Sequence, residues 1–189
     1  MSQRSVLLGR FGAILLSLGA APAMAQGPAV PPPPVRDGSH DFDFSPGTWH
    51  THVKRILDPL EGGTHFVELD GTVTTRKVWG GRAWLEEIEA DGPNGHWEGM
   101  TLFLYNPKSG QWSQSYAGSD DGQLSATVGS FHDGIGELYS TETYHGRQVL
   151  VRGVWSGITA DAHDYVISYS DDGGRSWGPV FIAHKTRIR

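Results

Sequence analysis

Histidines and carboxylates are the groups with which this chain could do chemistry, because it has no cysteine and hence neither a thiolate nucleophile nor a disulfide framework. Nine histidines are spread along it, and His50-Thr51-His52 is the tightest pair. Residues two apart on a strand share a side, so these two rings stand with Lys54, opposite Trp49, Thr51 and Val53. Trp49 is the natural core residue there, which turns both histidines to solvent, and no third ligand follows at a metal-binding spacing. No metal site is expected. His184 reads differently. The alternation Val180, Ile182, His184 puts it on the apolar side of the last segment with Lys185 and Arg187 opposite. An inward imidazole near the C-terminus could be an axial haem ligand or a core histidine satisfied by a hydrogen bond.

The run Trp84-Leu85-Glu86-Glu87-Ile88-Glu89 splits its acids, with Glu86 on the side of Trp84 and Ile88, and Glu87 and Glu89 on the other. One face therefore carries an acid inward, or the acids stand exposed on a barrel exterior; Glu87 is taken as a lining candidate. A hydrolase with paired carboxylates needs two acids at a set separation across a cleft, which strand alternation alone does not supply. Ser170 to Trp177 fits the Asp-box pattern Ser-x-Asp-x-Gly-x-(Ser/Thr)-Trp, similar to the hairpin repeated in sialidase-like propellers. It occurs once, so it reads as a turn capped by its Asp and anchored by its Trp, not as a propeller blade. No Gly-rich phosphate loop opens a helix and no Ser sits in a nucleophile elbow.

The elements that must position these groups are strands. Ten candidates follow one another: Thr48–Ile56, His65–Trp79, Arg82–Ala90, His96–Tyr105, Gln111–Ala117, Leu124–Phe131, Gly136–Tyr144, Arg147–Ser156, His163–Ser170 and Pro179–Arg187. Between them lie turn signals such as Gly80-Gly81, Asn106-Pro107-Lys108-Ser109-Gly110 and Asp120-Asp121-Gly122, which supply Gly, Asn and Asp where positive φ is needed. Short connections imply hairpin neighbours and an antiparallel up-and-down order, suited to a barrel or a sandwich. Tyr144-His145-Gly146-Arg147 fixes one register: Glu137, Tyr139 and Thr141 share a face with Val154, Arg152 and Leu150, close enough for a Glu137–Arg152 ion pair, on the surface or in a pocket.

Two further segments precede the strands. Arg4 and Arg10, the apolar run from Phe11 to Ala23 and Ala23-Met24-Ala25 read as a cleavable export signal over residues 1–25, too short for an ordinary membrane span. Residues 26–39, with Pro31 to Pro34 consecutive, read as an extended linker to a domain at 40–189. Without the leader the chain has 13 basic and 21 acidic residues, a net charge of −8. It shows no basic excess for nucleic acid. The expectation is an exported protein, periplasmic or secreted, without stable membrane insertion after cleavage.

Five pieces carry a family resemblance: Phe42-Asp43-Phe44 leading to Gly47-Thr48-Trp49, Asp58-Pro59-Leu60, Leu104-Tyr105-Asn106-Pro107 with Trp112, Val149-Leu150-Val151-Arg152 with Trp155, and Asp171 to Trp177. In this order they resemble a bacterial domain-of-unknown-function family of the calycin superfamily, whose lipocalin and fatty-acid-binding barrels open on a Gly-x-Trp strand. The resemblance implies an all-β, antiparallel up-and-down, lipocalin-like barrel of about ten strands. Gly47, Thr48, Trp49 and His184 are also similar to the nitrobindin haem barrels, which would make His184 a haem ligand. With seven tryptophans and an export signal, the leading expectation is a barrel holding a small apolar or aromatic molecule, lined by Trp49, Glu87, Trp112, Tyr116, Arg152 and His184. The alternative is a cofactor-free isomerase, lyase or hydrolase using an inward Glu or His as general base.

Overall fold

The computed structural model describes residues 36–120 and 122–188. The expected export signal and most of the Pro-rich linker lie outside them. Ten strands follow in chain order: β1 (Gly47–Ile56), β2 (Phe66–Val78), β3 (Ala83–Gly92), β4 (Gly95–Asn106), β5 (Gln111–Gly118), β6 (Leu124–His132), β7 (Ile135–Tyr144), β8 (Arg147–Ser156), β9 (Ala162–Ser170) and β10 (Gly178–Arg187). Each pairs antiparallel with its sequence neighbours, and β1 also pairs with β10, so the meander closes into a barrel with no free sheet edge. The β7–β8 turn has the two-residue geometry its sequence requires, with φ of 47° at His145 and 78° at Gly146, and pairs Tyr144 with Arg147.

Strict alternation separates inside from outside. Trp49, Thr51 and Val53 of β1 point inward, as do Trp84, Glu86 and Ile88 of β3 and Trp112 and Gln114 of β5; all are buried. Gly129 faces Trp112 on β5 and Leu138 on β7, and a Cβ there would run into the Glu137 carbonyl. Glycine lets the sheet coil tightly at that point.

One end of the barrel is sealed by the segment before β1. Residues 36–46 form successive turns, with Asp41 N–H donating to the Gly38 carbonyl, Asp43 to His40 and Ser45 to Phe42, each at 3.0 Å. These turns push Phe42 into a cage of Phe103, Phe131, Trp112 and Trp155, at ring separations of 4.7, 4.9, 5.0 and 5.4 Å. The last three rings meet it edge-on, the favoured contact between aromatic quadrupoles. The segment's backbone is tied down by buried donors. Trp112 Nε1 donates to Gly38, Trp49 Nε1 to Ser45, and Arg187 to the carbonyls of Phe44 and Pro46, all at 2.8–2.9 Å. Arg36 to Ser39, assigned above to the linker, are part of this plug, since Gly38 also donates to the Tyr105 hydroxyl.

Candidate functional site

Two groups of polar residues point into the barrel, and they differ in access. In the middle, Lys185 Nζ lies 2.9 Å from both oxygens of Glu86, with side chains only 3% and 9% exposed. The Thr75 hydroxyl donates to Glu86 and the Lys185 ammonium sits 4.9 Å over the Trp155 ring. Beside them Gln114 accepts from Trp155 Nε1 and donates to the Tyr165 hydroxyl. His163 is buried between Trp49 and Phe44, and neither ring nitrogen has a hydrogen-bond partner. Burial, then the charges of Lys185 and Arg187, push its pKa down to about 3, so it is neutral near pH 7. Glu86 and His163 therefore hold the barrel together.

At the other end the inward residues are not sealed. By register Arg55 faces Val67 and Phe181, Trp97 follows Ala90, Tyr116 follows Thr101, and Glu142 and Tyr169 flank Val149 and Val151. All belong to the inside of the barrel, yet Arg55 is exposed and the others are half-buried. Side chains that point inward and still touch solvent make this the unsealed end, a cup whose Trp97 and Phe181 also pack against the buried core. Trp97 is its centre, with Phe181 at 6.2 Å, Tyr116 at 6.5 Å and the Arg55 guanidinium 5.9 Å from its ring. Burial, then the nearby Glu142 carboxylate, raises the pKa of Tyr169. Thr127, opposite Gln114 on the inner face, has a hydroxyl oxygen without a partner.

The loop from Leu57 to His65 straps part of this mouth. Its base closes through Leu57 N–H to the His65 carbonyl, and Asp58 gathers the backbone N–H groups of Thr64 and His65. Burial opposes ionisation of Asp58, but the hydrogen bonds from His65 and Thr64 outweigh it and hold the carboxyl below its ordinary range. The far side of the loop reaches the β7–β8 hairpin, where Tyr144 donates to the Leu57 carbonyl and Arg147 pairs with Glu61 at 2.9 Å. Gly178 has no side chain because Pro59 of this loop lies against it.

The expected lining residues fall into three groups. Tyr116 points into the cup. Trp49 and Trp112 point inward as expected, and both are fully buried in the core. Glu87, Arg152 and His184 were expected inside and lie outside. Glu87 is exposed and borders a shallow outer depression of about 290 Å³ with Glu89, Glu98 and Met100; the inward acid is its neighbour Glu86. Arg152 lies over the outer face of Trp177 at 4.4 Å instead of pairing with Glu137, which accepts from the Tyr139 hydroxyl. His184 bonds Asp164 on the outer face at 2.6 Å, and Lys185 points in. A β-bulge between Pro179 and Phe181 shifts the phase of β10, so that Phe181, Ala183 and Lys185 face the interior. The inward geometry on which an axial haem bond from His184 depended is absent.

Outside, the remaining motifs behave as turns and surface. His50 and His52 are exposed, and His52 bonds Asp70 at 3.0 Å, which raises its pKa. Asp172 accepts from the N–H groups of Arg175 and Ser176 and from the hydroxyls of Ser170 and Ser176, the work of a capped turn.

No family model matches the chain, and no curated protein matches it. Among solved structures, the S-type phycobiliprotein lyase CPES from Guillardia theta is similar at a TM-score of 0.54 and 12% identity, over 78% of this chain and 90% of that one. This is a lipocalin-like barrel. The structure of EF1p2_mFAP2b bound to DFHBI also aligns, at a TM-score of 0.41 and 10% identity over 80% of this chain and 99% of that one. Within the lipocalin-like architecture, the plugged end and the strapped, aromatic mouth belong to this chain's own side chains.

Proposed function

We propose that this protein is an exported binding protein that takes a small apolar or aromatic molecule into the open half of its barrel. The observation that carries this reading is the cup itself: Trp97, Tyr116, Phe181 and Tyr169 are inward by register and still accessible to solvent. Concave, mostly aromatic sites with a few polar groups are what small-molecule binding uses. The charged leader with its Ala23-Met24-Ala25 end supports export. The five ordered pieces from Phe42 to Trp177 support a place in the bacterial calycin family they resemble. A barrel of this fold serves a phycobiliprotein lyase, but the reading for this chain rests on its own cup.

Native mass spectrometry of the protein purified from an exporting host tests the proposal, with the denatured mass as reference. The expected result is a non-covalent mass excess that is lost in Thr127→Trp, a substitution that fills the cup from its inner wall without touching the plug. No excess, together with no saturable binding of a neutral naphthyl probe, would overturn it.

A further inference from the structure

The cations that point into the barrel are almost all spoken for. Lys77 pairs with Asp43 at 2.6 Å, Lys185 with Glu86, Arg147 with Glu61 and Asp171, and Arg187 donates to the carbonyls of Phe44, Pro46 and Ala160. Arg55 is different. It continues the inward series Trp49, Thr51, Val53, and its cross-strand neighbours Val67 and Phe181 are apolar. Among the described residues it forms no ion pair, and its recorded contact is with the face of Trp97. Trp97 is on β4 and Arg55 on β1, so the exposed guanidinium reaches across the opening, over β2 and β3. Its charge also acts on Tyr169 of β9, two strands away on the other side of β10. Glu142, inward by register at the same mouth, lies near Tyr169.

An arginine placed between apolar neighbours and left without an acceptor offers a planar fork of donors that matches a carboxylate or a similar oxyanion. Resting on the reading of the open half as a ligand cup, we propose that this cup selects an anionic amphipath, an apolar or aromatic body whose acidic group pairs with Arg55. The rings of Trp97, Tyr116 and Phe181 take the body, and the guanidinium fixes which end of the ligand stays at the mouth.

Two fluorescent probes with the same aromatic body separate the parts of this claim: anilinonaphthalene sulfonate carries an anion, and phenylnaphthylamine does not. For the wild-type protein at low salt the sulfonate should bind roughly tenfold more tightly or better, as expected for a charge-assisted bond, and the preference should shrink as salt rises. In Arg55→Gln the ratio of affinities should fall to about one, and Arg55→Lys should keep part of it; near-ultraviolet circular dichroism confirms that each variant is folded. Equal affinities in the wild type, or a ratio unchanged in Arg55→Gln, would overturn the anion claim and leave the cup standing. Binding of neither probe would overturn both.

Discussion

At one end of the barrel the inward rings of Phe103, Trp112, Phe131 and Trp155 close on Phe42; at the other, the inward rings of Trp97, Tyr116, Phe181 and Tyr169 stand around space that solvent reaches. Both ends are products of the same strand alternation and the same kind of residue. What separates them is a short segment outside the barrel, residues 36–46, which fills one opening and is pinned there by the indole of Trp112, the indole of Trp49 and the guanidinium of Arg187. The difference teaches that inward aromatic residues do not by themselves mark a binding site in such a barrel. Where the chain brings its own Phe42, the rings are core; where it brings only a strap, they are a surface.

The comparison assigns stability to the plugged half and function to the open one, and substitutions can break it. The largest effect is expected from Phe42→Ala, which should cost about 3–5 kcal/mol in denaturant unfolding, the usual range for a fully buried Phe. Phe181→Ala, half-buried in the cup, should cost well under that. Equal losses would erase the distinction. A loss of similar size is expected from Lys185→Met, about 3–5 kcal/mol, because it strands the Glu86 carboxylate in the interior. Glu86→Met combined with Lys185→Met should recover most of it. A double variant as unstable as the single one would show that the pair does more than satisfy itself.

A pH-dependent effect sharpens the same contrast. His163 is neutral in the folded protein with its pKa pushed down to about 3, against an ordinary value of 6.5. Its contribution is fully present above pH 6.5 and is lost as pH falls towards 3, with a slope of up to about 1.4 kcal/mol per pH unit. His163→Phe should flatten this limb in unfolding measured between pH 3 and 6.5. The outer His52 and His96 act in the opposite sense: hydrogen bonds to Asp70 and Asp91 raise their pKa, so what they add is present below pH 6.5 and fades above it. A limb unchanged in His163→Phe would mean that the buried ring does not govern acid sensitivity.

Much of this fold was legible from residues alone. Each of the ten expected strands lies within two residues of an observed one, and the Tyr144–Arg147 register is as its turn requires. Which face points inward was harder. In β10 both Val180-Ile182 and Phe181-Ala183 are apolar alternations, and only the bulge after Pro179 decides between them. That one residue turned His184 out and Lys185 in. In β3 the company of Trp84 and Ile88 already pointed to Glu86 as the inward acid; the buried cation that makes it tolerable lies 99 residues away, beyond the reach of local pattern. The cup was partly readable, since Arg55 lies an even step from Trp49 and Val53 on the same strand. The plug was missed because a Pro-rich composition upstream obscured where packing begins, although Phe42 and Phe44 were there to be read as core.

The central claim, that a ligand enters the half around Trp97 and leaves the half around Phe42 untouched, is tested most directly by nitrogen–proton spectra of the indole groups during titration with the naphthyl probes. The Trp97 signal should shift with saturation while those of Trp49 and Trp112, hydrogen-bonded to Ser45 and Gly38, stay in place. Shifts at Trp49 and Trp112 with an unmoved Trp97 would contradict it.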